Sequence, residues 1–265
     1  MITPPDYHVH SYFSFDSSAE PEDFIRSAID KGMNEICFTE HKDLDPYYPM
    51  TNFYDDVSYS EEIFSLREKY KGIIAVKKGI ELDFQAETAS DFKEITKKYQ
   101  YDFTLASVHA LEHEFIGEEF FKSRDICKAY KDYMEEVLLL SETGCFDVLG
   151  HFDYVKRFGC LQLPFEPEKY KGIIKKILLN LIKNGRGIEV NTSGWRHAPK
   201  EPYPSPYILS LYKKLGGEII TIGSDAHKPS DVGGFMGRAV ALLKEIGFDG
   251  VRIFSKHRAL KFLFM

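Results

Sequence analysis

One pattern constrains this chain more than any other: strand-like and helix-like segments alternate along its 265 residues. Short runs rich in Val, Ile, Phe and Thr read as strands at Asp6–His10, Glu35–His41, Ile73–Phe84, Phe103–His109, Val148–His151, Gly187–Asn191 and Glu218–Asp225, with Val251–Phe254 a candidate eighth. Between them, helical period marks Pro21–Lys31, Ser60–Lys71, Ser90–Lys98, Arg124–Glu142, Pro167–Asn184, Ser205–Leu215 and Met236–Ile246. Ser90 reads as an N-cap, and Asn184-Gly185 as a C-terminal stop. Such alternation, unbroken by any linker or shift in composition, implies a parallel sheet. No GxGxxG follows a strand, and seven or eight units fit a closed barrel better than an open doubly wound sheet. The expectation is an α/β TIM-like barrel spanning residues 1–265 as one domain.

Two inserts, Lys42–Tyr59 and Phe152–Pro167, read as non-helical loops rich in Tyr, Phe, Pro and charge, as loops built over a ligand are. The formal net charge is −7, with no block of five like charges, which excludes a protein that coats nucleic acid. No apolar run approaches the ~20 residues that a membrane span needs. Cys37, Cys127, Cys145 and Cys160 form no CxxC pair, and the first twenty residues lack a secretory pattern. Buried, reduced cysteines in a cytoplasmic protein are expected.

Metal-competent side chains gather at the ends of the strand-like runs. The first ends in His8-Val9-His10, the second in Glu40-His41, the fourth in His109, the fifth in His151 and the seventh in Asp225, followed by Ala226-His227; the third carries Glu81. In a βα barrel those C-terminal ends open on one face, where such folds place their catalytic groups. His8 and His10 are two apart on a strand and share a face, as do Asp225 and His227, so each pair can clasp one ion. Asp16, in the Ser-rich loop Ser11–Ser18, can fold back as an oxygen ligand or cap the turn before Pro21. These nine donors exceed one tetrahedral zinc site. They include no thiolate and suit two or three divalent ions of the Zn, Mn or Fe type, bridged by at least one carboxylate.

His109-Ala-Leu-Glu112-His113 also matches H-x-x-E-H, a zinc-peptidase signature that needs both histidines on one face of a helix. Here Phe103–Val108 runs into His109 as a strand, so Glu112 and His113 are expected at the rim.

Taken in order, His8-x-His10-Ser11, Thr39-Glu40-His41, Gly79-Ile-Glu81, Ser107-Val-His109, Gly150-His151 and Gly223-Ser-Asp225-Ala-His227 resemble the polymerase and histidinol phosphatase (PHP) superfamily of phosphoesterases. The likeness runs from Asp6 to about His227. Asn191-Thr-Ser-Gly-Trp-Arg196 and Glu201-Pro-Tyr-Pro-Ser205 are similar to its histidinol-phosphate phosphatase branch. The resemblance implies a distorted (βα)7 barrel with three divalent ions (Mn, Fe or Zn) at the C-terminal ends of the strands. It places His8, His10, Glu81 and Asp225 on the first ion. Glu81 would bridge to a second held by His109 and His151, and Asp16, His41 and His227 would hold the third.

The activity so implied is hydrolysis of a small phosphate monoester, L-histidinol phosphate, by a hydroxide lying between ions. The alternatives are a PHP phosphoesterase acting on nucleotides or another small phosphate, and a non-catalytic metal-stabilised module. Arg157 and Arg196, in the loops after the fifth and sixth strands, are candidates for gripping the phosphate. Asp153 and His197 are candidates for protonating the leaving group. The segment from Asp43 to Asp56, with Tyr47, Tyr48, Phe53 and Tyr54, is expected either to receive the imidazole and amine of the substrate or to act as a lid.

Overall fold

Strands covered on both faces bury most of their side chains, and the parallel strands of this protein do so, Thr39, Glu40, Glu81 and Glu189 included. In a computed structural model of the chain, which describes residues 3–48, 50–51, 53–122 and 124–264, the strands are β1 (Glu35–Lys42), β2 (Ala75–Asp83), β3 (Phe103–Ser107), β4 (Ala110–Leu111), β5 (Glu114–Phe115), β6 (Val148–Leu149), β7 (Gly187–Asn191), β8 (Ile220–Gly223), β9 (Gly250–Ser255) and β10 (Arg258–Leu263). Six pair side by side in parallel, in the order β1-β2-β3-β6-β7-β8.

The expected first strand, Asp6–His10, is not a regular strand; it bridges the two edges of this sheet. Tyr7 N donates to Ile222 O at 3.0 Å and Asp225 N to His8 O at 2.8 Å on the β8 side. On the β1 side, Cys37 N donates to Asp6 O and Thr39 N to Val9 O, each at 2.9 Å. The ring of seven staves is thereby closed, and no edge remains for an eighth. Val251–Phe254 accordingly lies in β9, which pairs antiparallel with β10 and not with the barrel.

The helices are α1 (Pro21–Asp30), α2 (Asp56–Lys69), α3 (Ala89–Lys98), α4 (Glu118–Lys122), α5 (Ile126–Thr143), α6 (Lys156–Gly159), α7 (Lys171–Lys183), α8 (Pro206–Lys214) and α9 (Met236–Ile246). Local chemistry explains where they differ from expectation. Asp55 caps α2 by accepting from Val57 N, so the helix starts before Ser60 and takes the end of the first insert. Ser90 is not a cap: α3 begins at Ala89 after Thr88. Pro167–Tyr170 forms a 3₁₀ turn ahead of α7, and α6 makes part of the second insert helical. Gly185, in the left-handed region at φ 66°, ends α7 as the Asn184-Gly185 pair predicts. Pro49 and Asn52 of the first insert lie outside the described residues, as does Met265.

The N-terminal end of the barrel is plugged. Phe254 of β9 packs with Tyr7, Cys37, Phe103, Leu105 and Val148. Its ring centroid lies 4.9 Å from that of Phe103, and Phe254 N donates to Tyr7 Oη at 2.6 Å. Polar groups therefore have only the opposite mouth to open into. The four cysteines are free, but only Cys37 is buried; Cys127 is exposed, and Cys145 and Cys160 are partly so. No described helix is long and apolar enough to cross a membrane.

Candidate metal centre and active site

Glu81, third from the end of β2, is fully buried at the centre of the mouth. Its Oε2 lies 3.2 Å from His8 Nε2, 3.5 Å from His10 Nε2 and 3.0 Å from His41 Nδ1. Its Oε1 faces another set, 3.0 Å from His151 Nε2 and 3.6 Å from His109 Nε2. Asp225 Oδ1 stands 3.6 Å from both His10 Nε2 and His227 Nδ1, and 3.8 Å from His8 Nε2. Asp16 does fold back: its Oδ2 reaches within 3.0 Å of His227 Nε2 and 3.5 Å of His41 Nε2. All nine sequence-predicted donors are thus brought together.

The surroundings aim these donors inward. His8 Nδ1 pairs with Glu189 Oε1 at 2.7 Å, His10 Nδ1 with Ser14 Oγ at 3.2 Å and His109 Nδ1 with Asp83 Oδ1 at 3.3 Å. Fixing a proton on each Nδ1 leaves Nε2 with its lone pair directed at the centre, the arrangement metal-binding histidines share. Glu40 accepts from Ser11 N, Ser11 Oγ and Ser14 Oγ, which pins the loop carrying Asp16. At Gly223 a Cβ would lie 2.1 Å from Glu189 Oε1 and 2.3 Å from His8 Cβ, so only glycine lets β8 approach this pair.

Electrostatics are those of a cation site. Burial would raise the Glu81 carboxyl, but His8, His109 and His41 outweigh it and hold the group well below the usual carboxylate range. Asp225 is likewise held down, its burial outweighed by His8, His227 and His10. Burial, with His41, His227 and His8 alongside, drives His10 well below its ordinary value, so its imidazole is neutral. His10 Nε2 is buried without a hydrogen-bond partner. The Nε2 atoms of His109 and His151 stand only 3.0 Å apart. An orphaned imidazole lone pair and converging nitrogens around carboxylates fit divalent ions with N and O ligands.

Above the centre is a cavity of about 300 Å³, walled by Phe15, Asp43, Tyr48, Phe115, Tyr154 and Arg157 together with six of the nine donors. A larger hollow, about 550 Å³, lies at the N-terminal ends of β1 and β2, beside Asn34, Arg67 and Asp102, and touches none of the nine. Chemistry, not volume, marks the first as the site.

The four remaining candidates separate. Arg157 lines the cavity, its guanidinium 5.2 Å from the Phe158 ring centroid and 5.7 Å from that of Tyr154. Arg196 lies outside the lining: Nη2 donates to Ser224 O at 2.7 Å and Asp225 O at 3.0 Å, holding the left-handed turn of Asp225 (φ 54°). Its Nη1 is buried without a partner. Asp153 is removed from the acid role. It is fully buried away from the cavity, and its Oδ2 accepts from Lys156 Nζ and Ser205 N, each at 2.9 Å. His197 also lies off the cavity wall, and burial beside Arg157 and Arg196 pushes it down to about 4, which makes it no proton donor at neutral pH. The H-x-x-E-H segment is the β4–β5 hairpin, with Glu112 and His113 in its left-handed turn; His113 Nδ1 meets Asp45 Oδ2 at 2.8 Å.

Asp43 and Tyr48, from the segment expected to meet the substrate, line the cavity, while sequence reasoning missed Glu189 and Asp83 as members of the site. A Glu in the middle of β7, among Gly187, Ile188 and Val190, was the available signal for the first.

A parallel barrel with this histidine and carboxylate mouth defines the protein by class: the PHP domain family model matches residues 6–193, and the chain belongs to that family. More particularly, the chain is similar to the histidinol-phosphatase of Lactococcus lactis, 31% identical over 259 residues and 94% of each chain. A Deinococcus radiodurans protein named "Probable histidinol-phosphatase" is 28% identical over 271 residues, 97% of this chain and 98% of that one. Among solved structures, the Lactococcus lactis histidinol phosphate phosphatase in complex with zinc, L-histidinol and phosphate superposes with a TM-score of 0.90 at 29% identity, covering 98% of this chain and all of that one.

Proposed function

We propose that this chain, as one PHP barrel over residues 1–265, hydrolyses L-histidinol phosphate to L-histidinol and inorganic phosphate, a step of histidine biosynthesis. The observation that carries the reading is Glu81, whose two oxygens face separate imidazole sets beneath a cavity walled by Arg157. Similarity to a protein solved with zinc, L-histidinol and phosphate supports the substrate.

In this reading His8, His10, Glu81 and Asp225 would hold one divalent ion, His109 and His151 with Glu81 would hold a second, and Asp16, His41 and His227 would hold a third. Zn, Mn or Fe suits these donors. Such ions supply Lewis-acid stabilisation of phosphoryl charge and lower the pKa of water toward neutrality. The chain does the rest. Arg157 presents its fork to the non-bridging oxygens and is kept in place by the Tyr154 and Phe158 rings. The unpartnered Nη1 of Arg196 is available for a further oxygen while Nη2 steadies Asp225. Phe15, Tyr48 and Phe115 exclude water from the cavity and offer flat faces to an imidazole. Glu189, Ser14 and Asp83 fix the tautomers of the ligand histidines.

The test is phosphate release by manganese- or zinc-loaded protein. The expected kcat/KM on L-histidinol phosphate exceeds that on nucleoside monophosphates by about 100-fold or more, a ratio that built polar recognition reaches readily. Equal values would reject the substrate assignment in favour of a broader phosphoesterase.

A further inference from the structure

Among the described residues, buried carboxylates are matched, with one exception. Near the first insert, Asp45 meets His113 at 2.8 Å, Asp56 meets Lys42 at 3.1 Å, and Asp83 accepts from His109 N at 2.8 Å. Asp43, only 7% exposed, makes no hydrogen bond or ion pair to any described residue. Its carboxylate is turned to the cavity wall, and one oxygen lies within 4.8 Å of carboxylate and imidazole atoms of Asp83 and His109.

A carboxylate that has given up water needs a cation or donors in exchange, and another carboxylate behind it strengthens that need. Three kinds of partner could meet it. A side chain of the protein does not, since none bonds to it. A further metal ion would need an inward-facing donor from His109, but the His109 Nδ1 is engaged by Asp83 and its Nε2 faces Glu81 and His151. A cationic group entering through the cavity can reach Asp43 without displacing any of these contacts.

We propose that Asp43 is the specificity residue that receives the cationic end of the substrate, with Asp83 reinforcing its field from behind. This rests on the functional reading above and adds to it: the phosphate is gripped on the Arg157 side, and the positive charge of the organic part docks on the β1–insert side. A dipolar ester that carries both charges fits this cavity; an ester with phosphate alone leaves the Asp43 carboxylate buried and unmatched, and is selected against for that reason.

The test compares wild type with Asp43→Asn, which keeps shape and removes charge. Both proteins are zinc-loaded and assayed on L-histidinol phosphate and on phenyl phosphate, bound zinc is counted, and L-histidinol affinity is measured by calorimetry. The expected result is a fall of at least about tenfold in the L-histidinol phosphate to phenyl phosphate ratio of kcat/KM, with a matching loss of L-histidinol affinity and an undiminished zinc count. A preserved ratio in the variant, with wild type still favouring L-histidinol phosphate, overturns the role of Asp43 and leaves the functional reading standing. A variant short of zinc overturns it in favour of a metal-holding carboxylate. Wild type that does not favour L-histidinol phosphate over phenyl phosphate overturns the functional reading itself, and this inference with it.

Discussion

Glu189 Oε1 sits 2.7 Å from His8 Nδ1, while its other oxygen accepts from His151 N at 2.9 Å. One carboxylate of β7 thus orients a donor on one side of Glu81 and the strand end that carries a donor on the other. Replacing Glu189 with Gln should leave the fold intact and reduce metal affinity or turnover by about 10–100-fold, the usual cost of removing such a support. Metal titration alongside steady-state kinetics measures both. Unchanged values would mean that His8 is held by packing alone.

The Asp153–Lys156 pair makes a separate prediction because both groups are buried, Lys156 Nζ also meeting Glu201 Oε1 at 2.8 Å and Pro202 O at 2.9 Å. Burial raises the Asp153 carboxyl, and Lys156 and Ser205 N oppose it. Asp153→Asn should cost about 1–3 kcal/mol of stability, since it removes one charged partner from a buried ammonium that keeps Glu201 Oε1 and Pro202 O. The shape of the kcat against pH profile should not change. A lost limb in that profile with an unaltered melting temperature would restore Asp153 as the general acid.

At the opposite end of the barrel, His257 Nδ1 meets Asp147 Oδ2 at 2.7 Å and ties the β9–β10 turn to the floor. The hydrogen bond that His257 donates to Asp147 outweighs burial and raises the His257 pKa above its ordinary value. The folded state therefore binds the proton more tightly, and this stabilisation is complete below about pH 6.5 and is lost as pH rises through the raised value. His257 is partly exposed, so the contribution is about 1 kcal/mol or less. The melting-temperature gap between wild type and His257→Asn, which tolerates the positive φ there, should be widest near pH 6 and narrow by pH 9. A gap independent of pH would contradict the pairing.

What could be read beforehand follows physical lines. The metal donors were legible because a barrel turns the ends of separate strands into one place, so residues as distant as His8 and His227 needed no further information to converge. Asp16 was readable only as one of two roles, since a loop residue has no strand to fix its direction. Glu189 and Asp83 were hidden inside strand-like runs, where alternation suggests packing and gives no hint of a hydrogen bond to an imidazole. Val251–Phe254 had the composition of a barrel stave, but Asp6–His10 had already taken both edges, a fact about long-range pairing that no local window contains. Asp153 was placed by nearness in sequence to the donors and Arg196 by its loop after the sixth strand; the direction of each side chain depended on Lys156 and on the carbonyls of Ser224 and Asp225.

The most direct measurement is made on Glu81→Gln, with turnover of L-histidinol phosphate and bound metal determined in the same preparation. Because the Glu81 carboxylate faces both imidazole sets, loss of its charge should reduce kcat by at least about a thousandfold and lower the bound metal below the wild-type count. A fully metallated Glu81→Gln protein that turns over at the wild-type rate would contradict the account.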